Sequence, residues 1–159
     1  MKGVKEQALK LLEEAYRYHL EGNLDKAVEL YRRSIELYPT PEAWTFLGWA
    51  YSMRGNLEGA VEACKRAIEL DPEYGNPYND IGFYLIEMGK LDEALSWLEK
   101  AKKAKRYASP HLPYVNAAKV YLLKGELFKA LDELNRALRI KPGYLPALIM
   151  KHQVLGMLN

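Results

Sequence analysis

Residues 44–72 read WTFLGWAYSMRGNLEGAVEACKRAIELDP, and nearly everything else in the chain is a variation on them. Taken alone, the stretch is two short amphipathic helices divided at Gly55-Asn56, with apolar residues returning at three- and four-residue steps on either side. The same frame stands upstream at 19–39 as HLEGNLDKAVELYRRSIELYP. Downstream it returns at 87–106 as EMGKLDEALSWLEKAKKAKR and at 122–142 as LLKGELFKALDELNRALRIKP. The turn glycines Gly22, Gly55, Gly89 and Gly125 are 33, 34 and 36 residues apart. A period of that length marks a chain built by stacking one supersecondary unit several times.

Outward from the quoted stretch, the first unit opens on a helix around Met1–Glu21 with Val4, Ala8, Leu11, Leu12, Ala15 and Tyr18 on one face. After Gly22-Asn23 the second helix buries Leu24, Ala27, Val28, Tyr31, Ile35 and Leu37; Asn23 is placed to cap it and Asp25 to meet the positive end of its dipole. Thr40-Pro41 starts the next pair with a proline in the first turn, where its missing N–H is harmless. Helices are expected near 41–54, 57–70, 76–88, 91–104, 110–124 and 127–140, and a last one at 145–157 has no partner of its own. Before the fourth pair the frame slips. Arg106 stands where a proline is expected, and Tyr107-Ala108-Ser109-Pro110 adds two residues, which predicts a longer corner.

Composition sets the outer limits. With 159 residues, 49% hydrophobic and 28% charged, the chain is a globular sequence of single-domain length, 1–159. A net charge of +2 gives no field that would select nucleic acid or an anionic membrane, so partners must be chosen locally. Cys64 is the only cysteine, which leaves no intramolecular disulfide and no cysteine-based metal cluster. The N-terminal MKGVKEQALKLLEEA lacks the apolar core of a signal peptide, and no stretch approaches the roughly 20 apolar residues of a membrane span. The expected location is cytoplasmic, with an exported form whose signal has been removed as the alternative.

Aligned on the turn glycines, the units resemble tetratricopeptide repeats. The second carries Trp44, Leu47, Gly48, Tyr51, Gly55, Leu57, Ala60, Ala67 and Pro72 at the characteristic places. Small residues recur where the two helices of a pair meet: Ala15, Gly48, Gly82 and Ala118 from the first helix, Ala27, Ala60, Ala94 and Ala130 from the second. Leu11, Trp44, Tyr78 and Tyr114 fill the space beside them. Glu14, Cys64 and Arg106 depart from the repeat pattern without threatening it. The resemblance implies an all-α fold, an α-solenoid in a right-handed superhelix. Its four helical hairpins are expected at about 8–40, 41–74, 75–110 and 111–144, with a C-terminal capping helix at about 145–157. That last helix is apolar on more than one face, through Leu145, Leu148, Ile149, Met150, Val154, Leu155, Met157 and Leu158, where a terminal cap needs a polar outside. A second copy of the chain is the expected partner for it.

In this family the first helices line a concave groove that takes a peptide or partner helix, so the resemblance implies a protein-interaction scaffold or adaptor. By repeat position the groove residues are Leu12, Tyr16 and His19; Thr45, Trp49 and Ser52; Asn76, Asn79, Phe83 and Ile86; and Val115, Lys119 and Leu122. Tyr16, Trp49 and Phe83 occupy one place in three successive units and form an aromatic line ending at Lys119. Such a line favours an apolar or amphipathic segment, with asparagines for its backbone and Lys119 for a carboxylate. The alternative is that the line is core between first helices, or is filled by the protein's own terminal segment. Relatives that hold acidic chaperone tails use a lysine, asparagine and arginine clamp. The corresponding positions here are Leu12, Tyr16, Phe46, Asn76 and Asp80, or one unit later Thr45, Trp49, Asp80, Leu112 and Asn116, and no clamp results.

The second half also resembles pilotin-type lipoproteins of type IV pilus assembly, in Asn79–Leu85, Tyr107–Pro110 and Tyr114–Asn116, which implies an assembly factor for a pilus or secretion system as the second reading. Catalytic chemistry is not expected. His19, His111 and His152 stand in different units with no ligand spacing, His111 reading as an exposed residue at a helix start, and no metal or cofactor is expected. Gly89-Lys90 lacks the upstream glycine of a phosphate loop. The basic run Lys100–Arg106 has no interleaved aromatics and reads as a complement to a helix C-terminus, so nucleic acid is not an expected partner.

Overall fold

A computed structural model describes residues 2–159, and among them every regular element is an α-helix. In order these are α1 (Lys2–Leu20), α2 (Leu24–Leu37), α3 (Pro41–Met53), α4 (Leu57–Leu70), α5 (Asn76–Glu87), α6 (Leu91–Lys102), α7 (Leu112–Leu123), α8 (Leu127–Ile140) and α9 (Leu145–Leu158). Met1, which the sequence reading includes in the first helix, lies outside the described residues. The expected helices are found, with every end within two residues of its expected place.

The breaks between paired helices have a common cause. Gly55 ends the first helix of its hairpin at φ 83°, a left-handed conformation that costs a side-chain-bearing residue about 1–2 kcal/mol, and Gly22, Gly89 and Gly125 repeat it. The side chains of Asn23, Thr40 and Asn56 then accept the backbone N–H groups of Lys26, Ala43 and Gly59, which would otherwise be left without partners in the first turn.

Within each hairpin the helices touch through the small residues. Ala15, Ala27, Ala60, Ala94, Ala118 and Ala130 are all fully buried. Gly82 shows why the position is restricted: a Cβ built on it would lie 2.5 Å from Leu98 Cδ2, in the middle of the α5–α6 contact. Successive hairpins stack α2 on α3, α4 on α5 and α6 on α7, and α9 rests on α8. The first helices α1, α3, α5 and α7 also lie close to one another in sequence, whereas the backbones of the second helices stand further apart. A stack whose first helices stay close while its second helices splay must curve, and its concave side is the one made by α1, α3, α5 and α7.

The longer corner at 103–111 is more than slack. Gly75 N–H donates to Arg106 O at 2.9 Å and Arg106 N–H donates to Glu73 O at 3.0 Å, so the corner before α5 and the corner after α6 form one parallel backbone bridge. The Arg106 guanidinium pairs with Asp71, reaches Glu42 at 3.7 Å and lies 4.6 Å over the Tyr74 ring. Nearby, Lys102 donates to Glu99 at 2.6 Å and to Glu133 at 2.9 Å, tying α6 to α8 through side chains almost entirely removed from water. Lys100 lies over Trp97. Three members of the basic run are therefore engaged within the molecule.

Candidate functional site

Helices α3, α5 and α7 present their inward faces to an open cavity of about 790 Å³ on the concave side. Trp49, Phe46 and Met53 line it from α3, Phe83, Asn76 and Asp80 from α5, and Leu112 and Asn116 from α7. No described residue fills it. The aromatic row is continuous at its start: the Tyr16 and Trp49 rings are 6.5 Å apart, and Phe46 joins both at 5.3 and 6.4 Å. At its far end Lys119 Nζ stands 5.3 Å over the Phe83 ring while pairing with Glu87 at 3.8 Å. Tyr16 and Trp49 are each 37% exposed, a large apolar area to leave in contact with water.

The thirteen residues expected on the groove divide by depth. Tyr16, Trp49, Ser52, Asn76, Phe83, Lys119, Leu122 and Leu12 keep solvent exposure, and of these Trp49, Ser52, Asn76 and Phe83 line the cavity. His19, Thr45, Asn79, Ile86 and Val115 are buried, Thr45 and Asn79 still lining the cavity. For His19 the cause is a contact network that no single repeat reveals. Its Nδ1 is 2.9 Å from the Tyr31 hydroxyl, its Nε2 is 3.1 Å from Met53 Sδ, and its ring is 4.0 Å from that of Trp49. Burial holds its imidazole below the ordinary 6.5. Thr45 spends its hydroxyl on Pro41 O at 2.7 Å, and Asn79 accepts from Asn116 Nδ2 at 3.0 Å, so these two set the groove's floor. His111 corrects its expectation as well. It is buried at the start of α7 with its ring 4.4 Å from that of Tyr144, and burial, followed by Lys141, lowers its pKa.

Three sequence profiles described as tetratricopeptide repeat match residues 8–42, 41–74 and 63–96, together spanning 8–96, more than half of the chain. The chain is a tetratricopeptide repeat protein. No curated protein matches it in sequence. Among solved structures it is similar to Pseudomonas aeruginosa PilF, with a TM-score of 0.89 at 20% identity over 98% of this tetratricopeptide repeat chain and 70% of that one. It is similar to PilW, a type IV pilus biogenesis factor, with a TM-score of 0.80 at 20% identity over 88% of this chain and 64% of that one. It is also similar to YrrB, described as a tetratricopeptide repeat protein with an unusual peptide-binding site, with a TM-score of 0.74 at 23% identity over 91% and 74%. At these identities the likeness is one of fold.

The feature that repeat counting missed is Asp80. Its register, which includes Phe46 and Asn116, lies one residue along from the one read as groove, yet all three line the cavity. Only part of the Asp80 side chain is reached by solvent, and loss of solvation pushes its carboxyl up to about 7 from the ordinary 3.8, with no hydrogen bond or neighbouring charge opposing the shift. Among the described residues no metal-binding group of histidine, cysteine and carboxylates exists, and no helix is long and apolar enough to cross a membrane.

Proposed function

We propose that the protein is a non-catalytic adaptor, one domain of four repeats over about 8–144 with α9 as its cap, that holds a segment of a partner protein along α3, α5 and α7. The single observation that carries this is the open cavity with Trp49 and Phe83 in its walls and the side-chain amides of Asn76 and Asn116 beside them. Exposed rings supply contact area at small entropic cost, and amides fix an extended or helical backbone. The peptide-binding site named for YrrB supports the reading by analogy of fold. Tyr16, Ser52, Lys119 and Leu122 extend the surface on either side, and the site of action is cytoplasmic. Affinity capture with the wild type and with a Trp49→Ala/Phe83→Ala double variant tests it. Partners lost in the double variant are the groove's ligands; an unchanged set of partners overturns the reading.

A second reading is a pilotin-like assembly factor acting in an exported form. It is favoured by the likeness to PilF and PilW and by the corner at 103–111, which falls where the pilotin-type motifs place it. Selective capture of a component of a pilus or secretion machine carries that reading over the first. Self-association through α9 accompanies either one: Leu145, Leu148, Ile149, Leu155 and Met157 are all more than 40% exposed. Sedimentation at high micromolar concentration should show a dimer, and a monomer there removes it.

A further inference from the structure

The charged side chains lining the cavity are both carboxylates, Asp80 and Glu87. Glu87 stands at the exposed rim and has Lys119 for a partner. Asp80 is less exposed, and among the described residues no cation pairs with it and no donor reaches it, while Trp49, Phe83, Tyr74 and Tyr84 line the same space. A carboxylate drawn out of water without a partner is a net cost to the fold, and asparagine in the same shape would avoid it. The cost is recovered if a cation arrives with the ligand. The aromatic walls suit the same visitor, because a guanidinium or ammonium is drawn to ring faces.

We infer that the groove selects a partner segment carrying a basic side chain, which enters the cavity alongside Trp49 and Phe83 and pairs with the Asp80 carboxylate. This rests on the groove being the binding surface and names the chemistry it reads. It also reverses the expectation drawn from Lys119, whose ammonium is already engaged by Glu87 and Phe83.

Pairing favours the ionised carboxyl, so binding releases a proton near neutrality and tightens as pH rises. The groups facing Asp80 do not obscure this. Burial raises the Cys64 thiol on α4, the Tyr74 phenol in the corner before α5 to about 12, the Tyr84 phenol on α5 and the Tyr107 phenol in the corner before α7. Arg106, across the Tyr74 ring, is held charged by Asp71 and Glu42, and Glu87 is paired with Lys119. His19, which touches Trp49 from α1, takes up its proton only below the ordinary imidazole range.

A random 12-residue phage-displayed peptide library, panned against the full chain and against Asp80→Asn and Trp49→Ala variants, tests the inference. The wild-type pool should carry arginine or lysine at a fixed offset from apolar residues. The Asp80→Asn pool should keep the apolar positions and lose the basic one, and the Trp49→Ala pool should lose both. For the most enriched peptide, Asp80→Asn or replacement of its basic residue by glutamine should each weaken binding about tenfold, with no further loss when both are made. Affinity should rise between pH 5.5 and 8.5 for the wild type and stay flat for Asp80→Asn. A melting temperature for Asp80→Asn at pH 8 no lower than the wild type's separates lost recognition from lost structure. A wild-type pool without a basic position, or one kept against Asp80→Asn, overturns this inference and leaves the groove standing. A wild-type pool indistinguishable from that of Trp49→Ala, or no selected binder, overturns both.

Discussion

Trp44 and Trp49 stand five residues apart on α3, and that spacing sends them to opposite sides of the helix. Trp44 packs against the cluster around Leu47 and Tyr31, while Trp49 opens onto the groove. Trp44→Ala should therefore lower unfolding free energy by about 2–3 kcal/mol and leave partner capture intact, whereas Trp49→Ala should cost about 1 kcal/mol and abolish capture. Denaturant unfolding beside affinity capture measures both, and equal stability losses with equal capture would reject the division. Asp80 gives a second contrast. Its folded carboxyl has the higher pKa, so its contribution to stability is whole below pH 3.8 and is lost as pH rises through about 7. Relative to Asp80→Asn, the wild type should lose on the order of 2 kcal/mol between pH 4 and 8, solvent at the groove mouth keeping the figure modest. His19 and His111 act in the opposite direction, destabilising on acidification, and the difference between the two proteins cancels them. A pH-independent difference in urea unfolding would show the carboxylate to be well solvated. At this scale the sequence was legible where a role repeats with the period, as it does for Trp49 and Phe83. It did not show that His19, expected on the groove, is buried by Tyr31 and Met53 from two other helices, nor that Asp80 lines the cavity, because a period says which positions are equivalent but not how wide the groove opens.

Individual helices were the most readable part of the chain, since caps, turn glycines and first-turn prolines are local signals and the repeat states them several times. The ties between helices were not readable. Lys102 appeared only as one member of a basic run, yet it spans α6 to Glu133 on α8 and lies 4.6 Å over the Tyr114 ring of α7. Burial alone would make its ammonium easier to deprotonate; the bonds to Glu99 and Glu133 outweigh this and hold its pKa above the ordinary lysine value. Lys102→Met should cost about 3 kcal/mol by stranding Glu133 in a nearly water-free place, and adding Glu133→Leu should restore most of that. Thermal unfolding of the single and double variants decides the point. Additive losses would mean that the pair contributes cohesion that apolar packing cannot replace.

Among the described residues the molecule is a row in which each hairpin packs mainly on its neighbours, so its stability is a sum of units and joints and not that of a single closed core. Hydrogen exchange should be slowest in α3–α6, whose hairpins are covered on both sides, and faster in α1 and α9; uniform protection would mean that the stack melts as one block. The bridge between Tyr74 and Arg106 makes the joints unequal. A stacked-hairpin solenoid stretches and bends like a coil spring, with its compliance in the corners between turns. Here the corners at the two ends of the third turn are clasped to each other, which stiffens that coil while the outer coils stay compliant. Strain applied to either end of the protein, whether by a bound partner or by mechanical load, should then be taken up first in the outer corners, leaving α5, with Asp80 on it, the least displaced wall of the groove.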